Sequence, residues 1–214
     1  MKKYMRLLLL ILCAFLVVAC GKKEEEGETK VTEEITEGTI EGYHFKETDE
    51  ITDCVKIQME NGDIILIVLS NTQTPITKAN FQKLVSEHFY DGIIFHRVIQ
   101  NFMIQGGDPT GTGYGGSEET IKGEFSANGV ANDLKHTRGV ISMARSNDMN
   151  SASSQFFICT VEYPSLDGNY AAFGKVFAGM DSVDKIEKTE TDSNARPIVE
   201  QKIKSIRFIE IIKD

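Results

Sequence analysis

The chain has 214 residues, 41% hydrophobic and 26% charged, with a formal net charge of −9. That length accommodates one sizeable domain with extensions, and the composition is ordinary for a globular protein. There is no basic field to meet phosphates, so nucleic acid is not an expected partner. The charge is uneven: residues 1–19 carry Lys2, Lys3 and Arg6 and no acid, whereas residues 21–50 carry eleven acids against four bases.

Lys2, Lys3 and Arg6 precede an apolar run of thirteen residues, Leu7–Ala19. A spanning helix needs roughly 20 apolar residues, so the run suits the apolar region of a secretory signal. It ends in Val17-Val18-Ala19-Cys20-Gly21, which resembles a bacterial lipobox. The resemblance implies removal of residues 1–19 and diacylglycerol on Cys20, placing the protein on the extracytoplasmic face of the cell membrane. Two acyl chains anchor stably where one does not. An ordinary signal peptide or a short anchor helix is the alternative. Residues 20–50 are acidic, glycine-dotted and poor in large apolar side chains, which predicts a disordered tether. Thirty such residues span about 30 Å as a flexible coil.

The folded domain is expected over residues 51–214. Cys54–Glu60 and Asp63–Leu69 flank Asn61-Gly62, a strong hairpin signal, and Val55, Ile57 and Met59 alternate with polar residues. Thr74-Pro75 predicts a helix with threonine as N-cap and proline at its first position. Phe81, Leu84, Val85 and His88 form its core-facing stripe, and Asp91-Gly92 ends it. A second short helix is expected over Asp181–Glu187, burying Met180, Val183 and Ile186. Gly139–Ala144, Gln155–Thr160, Ala171–Val176 and Ser205–Ile212 read as strands. Many short strands with two helices predict a mainly β protein built as a closed antiparallel barrel.

Several patterns fail as sites. Gly111–Gly116 satisfies GxGxxG, but no helix follows and no βαβ unit can be placed, so it reads as a mobile surface loop beside a groove. Cys54 and Cys159 are expected as free thiols, Cys159 as a small buried hydrophobe, although an exported chain permits a disulfide. The four histidines lack metal-ligand spacing, so no metal and no cofactor are expected, and His96 and His136 read as structural hydrogen-bonders. No serine–histidine–acid set is evident, and chain order alone could not establish one.

Phe95–Gly107, FHRVIQNFMIQGG, holds an arginine, Arg97, inside an apolar strand-like run. A lone arginine there ordinarily snorkels to water. However, FHRVI (Phe95–Ile99), FMIQGGD (Phe102–Asp108), KHTRGVISMA (Lys135–Ala144), SQFFICT (Ser154–Thr160) and LDGNYAAFGKV (Leu166–Val176) together resemble the cyclophilin family of peptidyl-prolyl cis-trans isomerases. The resemblance runs from Ile51 to Lys213.

It implies a closed eight-stranded barrel with a helix capping each end, and a monomer acting on proline-containing segments of exported or unfolded proteins. It also implies Arg97 as the catalytic donor and a proline pocket of Phe102, Met103, Phe157 and Leu166. Gln105 and the backbone of Ala144 and Arg145 would hold the peptide extended, with Gln155 beside them and Tyr170 at the rim. Phe156 faces the core, opposite to Phe157. The chain departs from the family pattern at Tyr170 (often histidine), Ser165 (often tryptophan), Ser153 (glycine) and Gln100-Asn101 (Pro-Gly). A low-turnover holdase or adaptor of the same fold, binding proline segments, is the alternative function.

Overall fold

A computed structural model of the chain describes residues 33–69 and 72–212. The signal segment 1–19, Cys20, the start of the tether and Lys213 lie outside the described residues. The elements run β1 (Glu37–Ile40), β2 (Tyr43–Glu47), β3 (Cys54–Met59), β4 (Ile64–Leu69), α1 (Pro75–Ser86), β5 (Arg97–Ile99), β6 (Met103–Gly106), β7 (Val140–Met143), β8 (Phe156–Cys159), β9 (Ala172–Ala178), α2 (Met180–Glu187) and β10 (Ile203–Ile212).

The strands form one ten-stranded sheet in the order β1-β2-β10-β3-β4-β9-β7-β8-β6-β5. The expected closed eight-stranded ring is therefore corrected in both number and closure. No ladder joins β5 to β10. The strand β5 is only three residues long, and β10 gives Ile209–Ile212 to β2. The two sides meet instead at an isolated bridge, Ile94 with Lys202. Helix α1 packs against β10, and α2 against β4, β5 and β6.

The β3–β4 hairpin forms as expected, with Asn61-Gly62 in its turn and Gly62 at φ 88°. Helix α1 begins at Pro75, but Thr74 makes no side-chain cap. The Glu124 carboxylate does so instead, accepting from the Ile76 and Thr77 N–H groups at 3.1 and 2.7 Å. An anion there satisfies orphan donors at the positive end of the helix. The expected stripe holds for Phe81, Leu84 and Val85 but not for His88. The helix ends at Ser86, and His88 lies exposed at φ 55° while Tyr90 is buried. Replacing Pro-Gly, Asn101 takes φ 56° between β5 and β6, a conformation asparagine tolerates. Ser153 is not among the residues with positive φ, so it carries none of the strain that replacing a left-handed glycine would bring.

The acidic tether ends sooner than its composition predicts. Residues Glu37–Glu47 form the β1–β2 hairpin, and β2 pairs with β10 in the register Ile209 to Glu47. This hairpin creates a second apolar layer on the outside of the sheet. Phe45, Ile35 and Ile40 lie with Ile64, Leu66 and Ile209, while the opposite face of β4 sends Ile65, Ile67 and Leu69 into the main core. Strand β4, IILIVL, is thus buried on both faces except at Val68, close to the condition that an uninterrupted apolar strand signals.

The same extension buries polar groups of β3. Lys56 is fully buried, and its ammonium donates to Ile35 O at 2.6 Å, Gln58 Oε1 at 3.1 Å, Glu34 Oε1 at 3.3 Å and the Glu47 carboxylate. Gln58 in turn accepts from the Ile35 N–H and donates to the Glu33 carbonyl. A buried ammonium is tolerable only when paired and hydrogen-bonded in this way. A chain beginning at Ile51 would expose Ile64, Leu66 and Ile209 and strip Lys56 of both carboxylates. We expect it to be less stable than the 33–214 chain by roughly 3 kcal/mol or more. Denaturant unfolding of the two chains measures this, and equal midpoints would contradict it.

Candidate active site

The site is built on one face of β5, β6 and β8. In these strands alternate residues point to opposite sides. Val98, Ile104, Phe156 and Ile158 enter the main core, whereas Met103, Phe157 and Cys159 form a separate cluster with Leu166, joined by Ile99, Phe102, Ala144 and Tyr170. Phe156 and Phe157 therefore face opposite ways, as expected. The register sets Arg97 directly across from Gln105, and Gln105 across from Phe157. Gly107 lets β6 approach β8: at φ 86°, a β-carbon there would collide with the Ser154 carbonyl oxygen.

A chain of hydrogen bonds starts at the guanidinium. Arg97 Nη1 donates to Gln105 Oε1 at 3.1 Å, and Gln105 Nε2 donates to Gln155 Oε1 at 2.9 Å. Gln155 Nε2 then donates to the carbonyls of Gly113 and Gly115 at 3.1 and 2.7 Å. Each amide has one oxygen accepting and one nitrogen donating, so the relay fixes both glutamine orientations. Arg97 is half-buried and spends one of its donors in this relay.

The glycine-rich loop at the far end of the relay is held by a buried carboxylate. Asp108 accepts from the N–H groups of Thr110, Thr112, Gly113 and Gly115 and from the Thr110 hydroxyl. Burial opposes its ionisation, but the bonds from Thr110, Gly115 and Gly113 outweigh it and hold the carboxyl below its ordinary range. The loop expected to be mobile is thus tied at five donors, and it presents no phosphate-binding helix terminus.

The groove encloses about 680 Å³ and is lined by Arg97, Phe102, Met103, Gln105, Ala144, Arg145, Phe157, Leu166 and Tyr170. Gln155 lines an adjoining recess of about 500 Å³ with Gly113 and Gly115. All ten residues expected at the site therefore converge. The Phe157 and Tyr170 rings meet edge to face at 5.9 Å, and Phe102 lies 4.3 Å from Tyr163. The Ala144 N–H is committed to the Gln155 carbonyl at 2.9 Å, so a peptide contact at that residue falls to its carbonyl. Arg145 donates to the carbonyls of Asn169 and Ser146 and lies over the Phe125 and Tyr170 rings.

Beneath Phe157 runs a polar line that the sequence did not disclose. Ser142, paired with Phe157 across β7 and β8, has its Oγ 3.0 Å from His136 Nε2, and His136 Nδ1 lies 3.0 Å from Asp167 Oδ1. This is the connectivity of a hydrolytic triad, but Ser142 is fully buried and His136 nearly so, leaving no approach for a substrate carbonyl. The His136 ring stacks on Phe157 at 6.0 Å, so the line supports the aromatic floor. Burial lowers the His136 pKa against the opposing pull of Asp167, favouring a neutral ring that accepts from Ser142. His136 is structural as expected. His96 is not a hydrogen-bonder: neither ring nitrogen has a partner among the described residues, and burial lowers its pKa.

Cys54 and Cys159 are free thiols, and burial pushes Cys159 up to about 12, so it is inert packing rather than a nucleophile. Among the described residues, no group of His, Cys, Asp or Glu could hold a metal ion. The sequence reading also missed Asp192, Asn194 and Arg196, which close one side of the groove. Their acidic and polar segment carries no periodicity that would have flagged it.

An aromatic pocket open to solvent beside a hydrogen-bonded guanidinium is a geometry that a compact apolar residue can enter. The comparisons agree. The family model described as cyclophilin type peptidyl-prolyl cis-trans isomerase/CLD matches residues 54–208. Peptidyl-prolyl cis-trans isomerase-like 1 of Gibberella zeae is 42% identical over 161 residues, 75% of this chain and 97% of that protein. Peptidyl-prolyl cis-trans isomerase ppi1 of Schizosaccharomyces pombe is 45% identical over 150 residues, covering 70% and 94%. A crystal structure of a Cryptosporidium parvum cyclophilin type peptidyl-prolyl cis-trans isomerase superposes with a TM-score of 0.67 at 34% identity, covering 76% of this chain and 98% of that one. The same protein has also been solved in the presence of the dipeptide Ala-Pro. The chain belongs to the cyclophilin-type peptidyl-prolyl cis-trans isomerases.

Proposed function

We propose that the chain speeds prolyl isomerisation in exported proteins at the membrane surface, with Arg97 as the catalytic residue. The observation that carries the catalytic part is the relay from Arg97 through Gln105 and Gln155 to the loop carbonyls. Rotation about a peptide bond breaks amide resonance, with a barrier of about 18–20 kcal/mol. At a prolyl bond the two isomers are nearly equal in energy but exchange slowly. In the twisted state the prolyl nitrogen is pyramidal, and its lone pair is localised. A guanidinium held in place binds that lone pair better than the planar amide, which is differential binding of the transition state. The proline ring would rest on Phe157, Met103 and Leu166, with Phe102 and Tyr170 at the rim. Gln105 and the backbone at Ala144 and Arg145 would hold the flanking peptide.

The membrane part rests on the sequence: the basic n-region, the apolar run and the Cys20 motif, followed by an acidic stretch. On this reading residues 21–32 form the tether and the β1–β2 hairpin belongs to the domain. Cys20→Ser is expected to release the protein from membranes or leave it uncleaved, with the domain still active. Wild-type protein that fractionates as soluble with an unmodified Cys20 would contradict the anchoring.

For the catalytic part, Arg97→Ala should lose about 10²–10³ in kcat/KM, the worth of one preorganised donor, while peptide affinity changes little. Arg97→Lys should be nearly as damaged, because a flexible ammonium does not reproduce the guanidinium fork. Phe157→Ala should weaken affinity as well. A proline-peptide isomerisation assay beside an NMR titration measures both quantities. Undiminished turnover in Arg97→Ala would refute the mechanism, and a slow wild type that still binds peptide would favour the adaptor.

A further inference from the structure

We propose that the groove selects proline segments carrying a carboxylate side chain next to the proline, read by Arg145 and Arg196, which both line it. This rests on the prolyl-peptide reading of the same groove and adds the chemistry of its substrate.

The groove is electropositive in a chain whose net charge is −9. Three guanidinium groups line it, those of Arg97, Arg145 and Arg196, against a single carboxylate, Asp192. The Oδ1 of that carboxylate accepts the backbone N–H groups of Asn194 and Arg196 at 2.8 and 3.0 Å, which hold it in place with its charge, so three cations stand against one anion. Among the described residues, no ion pair involves Arg97 or Arg145. Arg196 has only Glu200 at 3.9 Å, a distant and exposed partner.

Arg145 and Arg196 are also held. Arg145 is pinned by the Asn169 and Ser146 carbonyls and by the rings of Phe125 and Tyr170. Arg196 Nη1 donates to the Gly111 carbonyl. Carbonyls and ring faces orient a guanidinium without neutralising it, so both groups keep their charge for a ligand. Burial is the main cause that lowers the His96 pKa; Asp108 opposes it, and Arg196 and Arg97 both add to it, so the two guanidinium groups act together at the Arg97 end of the groove. Half-buried cations of one sign between low-dielectric walls focus potential onto whatever enters, and a carboxylate is the protein side chain that pairs with guanidinium most favourably. A lysine beside the proline would meet like charge.

The test uses the 33–214 chain and three peptide sets that differ only in the residue flanking proline: glutamate, glutamine or lysine, placed before or after it. At low ionic strength, kcat/KM should fall in the order glutamate, glutamine, lysine. Exposed ion pairs of this kind make roughly a 3- to 10-fold span between the extremes. The span should shrink toward unity as salt is raised, because screening acts on the charge and not on the apolar pocket. Arg145→Gln and Arg196→Gln should each narrow the glutamate-to-lysine ratio. Equal kcat/KM across the series, or a preference that salt leaves unchanged, would overturn the proposal. If the glutamine peptides are bound but not turned over, the isomerase reading fails, and the affinities of the glutamate and lysine peptides by NMR titration still decide the charge preference.

Discussion

The position of one guanidinium is the constraint on which the site depends. Arg97 stands in the shortest strand, at the end of the sheet, where the outer side is tied by the Val98 N–H to the Ala195 carbonyl. Its orientation comes from across the sheet: Gln105 lies directly opposite, Gln155 follows, and the glycine loop ends the chain. Every link needs the strands in this register, because a slip of one residue would send Arg97 and Gln105 into the hydrocarbon core and bring Val98 and Ile104 out. The apolar partition therefore fixes the geometry of the groove. Burial of Phe95, Val98, Ile104, Phe156 and Ile158 on one face leaves Arg97, Gln105 and Phe157 together on the other.

Two polar networks brace this arrangement from below and beside it. The Asp108 carboxylate organises the loop that terminates the relay, and the Ser142–His136–Asp167 line supports Phe157 and ties in the turn that carries Leu166. Each centres on buried groups, Asp108 in one and Ser142 with His136 in the other, with their partners in place, the condition under which buried polarity rigidifies a structure rather than weakening it. The N-terminal hairpin works on the far face. It covers β4 and satisfies Lys56, so it belongs to the domain although it lies outside the family match at residues 54–208.

What was legible in the sequence follows physical range. The β3–β4 hairpin was readable because Asn-Gly encodes its turn locally, and the opposed directions of Phe156 and Phe157 follow from strand period alone. The ten residues expected at the site were carried by resemblance; periodicity could not have linked Arg97 to Gln155 through Gln105. The N-cap of α1 was misread because its carboxylate, Glu124, lies far along the chain. His88 was assigned to the helix face because nothing in the pattern marks a stop at Ser86. The hairpin of residues 37–47 was lost to composition, since glutamates and glycines there mask Ile35, Ile40 and Phe45. The unbroken run Ile64–Leu69 was the available clue that a second layer covers β4. The Ser142 line required three segments brought together by the fold.

Beside its contact with the peptide, Gln105 is expected to act mainly by orienting Arg97, and a double-mutant cycle separates the two roles. Isomerisation rates of Arg97→Ala, Gln105→Ala and the double variant are compared with wild type. If Gln105 orients the guanidinium, its removal should slow the wild type but cost little once Arg97 is gone, giving a coupling energy of about 1 kcal/mol or more. Additive losses would mean that the two residues act independently, and would contradict the account.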